Sequence, residues 1–211
     1  MNLRRLAPSL GLLLMYPAVA GAQVAANRGI DQPDFTVIVQ GTFDAETLAE
    51  FTKRIEDYAA LRAKLEKGLP PLVPTDNADA IERFEHRLAE RIRGARAAHR
   101  GQIFAPSMVR QVKQMLAVRA DPQTIAAMMD DGPAEFDVDV NDTYSKRRSL
   151  ATMPPNILLT LPDLPRDIEY RFVGRHLILR DARANMIIDE IPFAFHCQDC
   201  VPKKDEEAVE R

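Results

Sequence analysis

The sequence predicts an α+β fold, with an N-terminal helical hairpin and shorter helices packed on a small C-terminal antiparallel sheet. Two observations carry this expectation. Apolar residues recur at three-four spacing from Asp44 to Arg119, and they recur at every second position after Pro133. The change of period falls at the turn sequence "DDGP", Asp130 to Pro133. Helices followed by a run of strands make an α+β arrangement rather than alternating βα units.

The first helix begins at Asp44, an N-cap residue, and carries Leu48, Phe51, Ile55, Tyr58 and Leu65 on one stripe. Gly68 followed by Pro70-Pro71 stops it. A second helix, about Asp76 to Ala98, lines up Ile81, Phe84, Leu88, Ile92 and Ala95. The connection "GLPPLVPTDN" joins the two as an antiparallel hairpin. Pro106 to Arg119 forms a third helix, and Asp121-Pro122 opens a short fourth with its cap and first-turn proline in order.

Beyond the turn, "EFDVDV" alternates Phe136, Val138 and Val140 with acids, the pattern of a half-buried strand. The proline-bounded "MPPNILLTLPDLP" predicts one short helix. Ile168–Val173 and His176–Asp181 read as strands joined through Gly174-Arg175, with glycine where a type II′ turn wants it. Met186–Ile191 is a third strand after the turn "DARAN".

The chain opens "MNLRRLAPSLGLLLMYPAVAGAQ": a basic start at Arg4 and Arg5, an apolar run from Leu10 to Ala20, then small residues at Ala20-Gly21-Ala22. That order predicts a secretory signal peptide cleaved near Ala22 and a periplasmic or secreted mature protein. The apolar run is shorter than the roughly 20 residues of a membrane span. The expected organisation is a leader over 1–22, an N-terminal extension over 23–43, a helical half over 44–132, a β half over 133–196 and a cysteine-bearing charged tail over 197–211. Loss of the leader moves the formal charge from −3 to −5, which gives no overall attraction to nucleic acid or anionic lipid. The absence of tryptophan and an aromatic content of 6% argue against a carbohydrate-stacking surface.

The two cysteines, Cys197 and Cys200, stand in "FHCQDC". A c-type haem site needs histidine after the second cysteine, where Val201 stands, and a thioredoxin-like site needs most of its fold downstream. An oxidising compartment favours a local disulfide between them. The alternative is a transition-metal site, zinc or nickel, in which His196, Cys197 and Cys200 supply three ligands and His176, Asp199 or a partner chain the fourth. "DVDVND" (Asp137, Asp139, Asn141, Asp142) imitates the start of a calcium loop, but Asp142 and Arg148 hold the places that require Gly and Glu.

Arg83, Arg87, Arg91, Arg93, Arg96 and Arg100 crowd the second helix. Arg83, Arg87 and Arg91 share one face, a candidate interaction surface for an acidic group, but interleaved Glu82, Glu85 and Glu90 balance them and favour a solvated face. Neither G-x-S-x-G, nor a glycine-rich phosphate loop, nor H-E-x-x-H is present. No nucleophile or general base can be named, and no cofactor is expected.

The stretch "LPDLPRDIEYRFVGRHLILRDARANMIIDEI" resembles the closing segment of small exported bacterial proteins, the RcnB-like periplasmic family among them. The likeness consists of a proline-rich lead, a "Y-x-F-V-G" strand, an "L-I-L-x-D" strand and an "I-I-D-x-I" strand. It implies an exported hairpin module. Because that family is linked to nickel and cobalt homeostasis, it also motivates the metal-handling alternative. The leading expectation is a non-enzymatic envelope binding protein, meeting a protein partner or a second copy through its helices. The rivals are a periplasmic metal-handling protein and an unrecognised hydrolase. Intact-mass measurement of protein recovered from the envelope checks the processing. The expected species starts near Gln23 and weighs two hydrogens less than its reduced form; a chain retaining Met1 or Asn2, or carrying two free thiols and a bound metal, contradicts it.

Overall fold

The computed structural model describes residues 43–131, 138–144, 150 and 152–196. Among the described residues five helices precede three strands: α1 (Ala45–Glu66), α2 (Ala78–Ala95), α3 (Pro106–Arg119), α4 (Pro122–Asp131), α5 (Pro155–Leu158), then β1 (Ile168–Val173), β2 (His176–Asp181) and β3 (Met186–Ile191). The architecture is α+β, with a three-stranded antiparallel sheet ordered β1-β2-β3.

Local chemistry sets the boundaries. The Asp44 carboxylate accepts the Thr47 N–H at 2.7 Å and caps α1. Asn77 accepts the Ala80 N–H at 3.1 Å, so α2 starts at Ala78 and ends at Ala95, a shorter span than the stripe suggested. Asp121 accepts the Thr124 N–H at 2.7 Å ahead of Pro122. The Val173↔His176 pair closes a two-residue hairpin loop in which Gly174 has φ 51° and Arg175 does not have positive φ, as type II′ requires.

Helices α1 and α2 run antiparallel. The Arg91 guanidinium meets the Leu65 carbonyl, Arg96 lies over the Tyr58 ring, and Arg54 donates to the Gly101 and Gln102 carbonyls, so α1 is descended as α2 and its adjoining loop are climbed. Both apolar stripes turn inward. Phe51, Ile55, Phe84, Leu88 and Ile92 join Leu177, Leu179, Met186 and Ile188 in one hydrophobic cluster that spans helices and sheet. A smaller cluster (Val138, Tyr144, Val173, Ile178, Ile187) occupies the other face of the sheet.

The segment expected as a strand through Val138 and Val140 is not one. Val138 is buried, but Asp139–Asn141 form a turn with Asn141 at φ 78°, and Phe136 lies outside the described residues. Residues Asn141 to Thr143 clip onto the outer edge of β3 instead. The Asn141 N–H donates to the Ile187 carbonyl at 2.8 Å, and the Ile187 N–H donates to the Asp142 carbonyl at 2.9 Å. A positive-φ residue ends extended backbone, so pairing is confined to a bridge at Thr143↔Met186.

β3 is buried along its whole length, acids included. Between the pairs Leu179↔Asp189 and Arg180↔Ile187 the residue Ile188 has no partner on β2, which is a β-bulge. The bulge brings both Ile188 and Asp189 to the helix side. The buried Arg96 donates to the Ile188 carbonyl at 2.6 Å. Asp189, fully buried, accepts four backbone N–H groups: Gly101 and Glu190 on Oδ1 (both 2.8 Å), Ile103 (2.6 Å) and Phe104 (2.8 Å) on Oδ2. Burial pushes the Asp189 carboxyl above the usual range while these donors pull against it. Gly101 reaches its place at φ 83°, a conformation that other residues adopt with strain.

Asp189→Asn turns an amide NH₂ toward two of the four N–H donors. It is expected to lower the unfolding free energy by about 2–4 kcal/mol. Urea denaturation checks this, and a loss below about 0.5 kcal/mol contradicts a clamping role.

Candidate functional site

The interior polar groups belong to the fold. Tyr58 donates its phenol to Asp181 at 2.7 Å, and Arg62 reaches the other oxygen of that carboxylate at 3.2 Å and the Arg166 carbonyl at 2.8 Å. Burial raises the Tyr58 phenol well above its ordinary range, and the Asp181 charge adds to it. Asp181 also accepts the N–H groups of Arg183 and Ala184, closing the β2–β3 turn. Arg183 pairs with Glu66 at 2.7 Å and lies over the Phe84 ring. The arginines expected on one solvated surface therefore divide. Arg83, Arg87 and Arg91 are exposed on α2, whereas Arg96 is buried, Arg93 donates to the Asn141 carbonyl and Thr143, and Arg100 pairs with the buried Glu190. The reading as a solvated face is corrected for the buried Arg96 and the half-buried Arg93; Arg100 stays exposed while its guanidinium meets Glu190.

His176 shares a hydrogen bond from Nδ1 with Glu190 at 2.8 Å and packs its ring 5.2 Å from that of Phe193. His196 is exposed. Cys197 and Cys200, the proposed disulfide pair and metal ligands, lie outside the described residues. Among the described residues no group of three or more His, Cys, Asp or Glu side chains could hold a metal ion. Ser107, the described serine, donates to Glu50 at 3.4 Å.

A groove of about 1040 Å³ lies between α1 and the segment leading into β1. One wall is α1, through Leu48, Thr52, Ile55, Glu56 and Ala59. The other is built from Met153, Leu158, Leu159 and Leu161 to Pro165, and the groove ends against Ile168–Arg171 of β1. Helix α5 has four residues, and the turn after it places Leu158 and Leu159 at the lip, 46% and 49% exposed. Two adjacent leucines at the end of so short a helix cannot both face the core, since neighbours diverge by about 100°. Pro154 and Pro155 start this helix, and the Thr160 hydroxyl, bonded to the Ile157 carbonyl at 2.7 Å, closes it. Tyr170 is buried at the groove's end, with its phenol donating to the Pro162 carbonyl at 3.1 Å.

Charge at this site is unevenly held. Burial raises the Glu169 carboxyl, but hydrogen bonds and charge from Arg171 and Arg180 outweigh it and hold the group below the usual range. Glu56 and Asp163 are exposed on the rim. The lining is thus largely apolar, with acids at its margin and an Arg–Glu pair at its foot. Such a groove suits burial of an apolar segment by shape and hydrophobicity.

Sequence reasoning did not single out this groove. The legible signal was the pair Leu158-Leu159 between prolines. No helix among the described residues is long and apolar enough to cross a membrane. Comparison with protein-family models, curated proteins and solved structures finds no match in any of the three.

A depressed folded-state pKa means that the stability Glu169 contributes is present above its unfolded pKa and lost as pH falls through its folded one. Wild type is therefore expected to exceed Glu169→Gln in stability at neutral pH. The difference should shrink as pH drops below the ordinary glutamate range, about 4.3. Denaturation of both proteins across acid pH checks the sign; a gap that widens on acidification contradicts it.

Proposed function

We propose that the protein is an exported, non-enzymatic interaction module of the cell envelope that receives a partner in the groove between α1 and β1. The observation that supports this most is the open apolar groove with Leu158 and Leu159 on its lip. The helix stripes expected to meet a partner are buried in the core, so the contact surface moves to the groove. The interior carboxylates and arginines are engaged in holding helices to sheet, which leaves them structural tasks. Exported status rests on the leader sequence, and the RcnB-like strand pattern agrees with it. The metal-handling alternative rests on "HCQDC" and on that same resemblance.

Co-purification of the mature protein from its own envelope tests the reading. Wild type is expected to retain a partner that Leu158→Asp/Leu159→Asp loses, with the double variant still folded because both side chains are half exposed. Equal recovery by the two proteins overturns it.

A further inference from the structure

Strand β1 turns its outer edge toward the groove. In a two-residue hairpin the closing pair is hydrogen bonded, so Val173, Arg171 and Glu169 direct their N–H and C=O groups to β2. Tyr170 and Phe172 direct theirs outward. Their side chains lie in the core cluster shared with the helices, so what each presents at this edge is backbone. Among the described residues nothing pairs with those outward groups. The Ile168 N–H, which donates to the Pro165 carbonyl at 3.1 Å, marks where the open row begins. β1 pairs with β2 residue for residue and without a bulge, so its edge is a regular template for a further strand. Tyr170 itself lines the groove.

The groove also sets the chemistry of what can lie there. Its α1 wall from Leu48 to Ala59 is apolar for the most part and rises about 16 Å, the reach of roughly five extended residues. Acids on α1 and β1 are mostly matched: Glu50 pairs with Arg54, Asp57 with Lys53, and Glu169 with Arg171 and Arg180. Arg171, which also lines the groove, is held by Glu169 at 2.6 Å. Glu56 and Asp163, both exposed, have no ion-pair partner among the described residues. One stands on each wall, Glu56 on α1 and Asp163 on the proline-rich lead. The uncompensated charge at the rim is therefore negative on both sides, and a basic ligand complements it.

Resting on the groove reading, we propose that the partner enters as an extended segment alternating apolar and basic residues, added antiparallel to the outer edge of β1. Partner residues opposite Tyr170 and Phe172 exchange both backbone bonds with them and point to the same face of the sheet. These are the apolar positions, set against the α1 wall. Basic side chains between them reach the carboxylates of Glu56 and Asp163, their flexible stems covering apolar surface on the way. The backbone bonds give affinity, while the alternation and the two acids give selectivity. A helix satisfies its own backbone and leaves Tyr170 and Phe172 unmatched.

Blocked hexapeptides alternating valine with lysine, or valine with glutamate, test the proposal on the mature full-length protein. The lysine peptide is expected to bind about tenfold tighter. It should slow amide exchange at Tyr170 and Phe172 at least about tenfold while Ile178 and Leu179 on β2 are unchanged. N-methylation of its valines, whose N–H groups face β1, should abolish binding; N-methylation of its lysines should spare it. Glu56→Gln/Asp163→Gln, exposed positions whose loss leaves the fold intact, should bring the two peptides to within about twofold. A preference that persists in this variant overturns the assignment to the rim, and equal binding by both methylated peptides overturns strand addition. Protection of Tyr170 and Phe172 in the free monomer also overturns it, since the chain itself then covers the edge. So does protection that rises with protein concentration, which assigns the edge to a second copy. If no peptide binds yet Leu158→Asp/Leu159→Asp still abolishes partner recovery, the groove reading stands and strand addition alone falls.

Discussion

The contact on which the rest of the structure depends is the seat of Asp189. A carboxylate with no exposure gathers the N–H groups of Gly101, Ile103, Phe104 and Glu190. Three of those donors belong to the loop between α2 and α3, and two of them, the N–H groups of Ile103 and Phe104, are buried. One side chain on the last strand thus defines where the helical half turns. The bulge at Ile188 makes this possible, because a regular strand would not bring Ile188 and Asp189 to the helix side together. The released Ile188 carbonyl is in turn met by Arg96, at the end of α2. Loop, bulge and arginine are each unsatisfied without the other two.

Around that seat, arginines couple elements far apart in sequence, and two of them, Arg62 and Arg96, are buried. Arg62 ties α1 to Asp181 on β2, and Arg93, Arg96 and Arg100 tie α2 and its loop to β3 and its covering segment. Burying a charge costs several kcal/mol before pairing, so such groups are weak as net stabilisers. Their effect is on specificity. A helix sliding by one turn would strand a guanidinium in an apolar cluster, a far larger cost than losing a methyl contact. Hydrophobic burial supplies the driving force, and the arginines select one register of helices on sheet. Breaking a single one of these pairs should therefore disturb more than its own neighbourhood.

Much of this fold was legible, because its elements are governed by local chemistry. The three strands and the helices from Pro106 and Pro122 lie where alternation, caps and prolines place them. Arg62 and Arg96 could also have been read as interior: Tyr58 leads to Arg62, and Phe84, Leu88, Ile92 lead to Arg96, at the same four-residue step. A charge on an apolar stripe signals a buried partner, not a break in the stripe. The partner was harder to see. Strict alternation along β3 sets Asp189 with Ile187 and Ile191, and only the bulge, which depends on contacts from the α2–α3 loop, regroups them. The Val138–Val140 pattern misled for a similar reason, since the positive φ of Asn141 ends the extended run before a strand can form. The groove was invisible because it is made by three segments whose meeting is a tertiary fact.

These constraints also explain why the candidate site lies where it does. The arginine and carboxylate contacts concentrate on β2, β3 and the α2 side, so the sheet is held firmly there. β1 stands at the opposite edge, backed by α1 through apolar contact and approached by the proline-rich lead from Pro154 to Pro165. Prolines cannot donate to a neighbouring strand, so this lead frames the edge without pairing along it. The outcome is a sheet with one border left to the groove, walled by α1 and lipped by Leu158 and Leu159. If the groove receives a partner as proposed, its apolar α1 wall and the exposed acids Glu56 and Asp163 on its rim would favour an uncharged apolar segment over an acidic one.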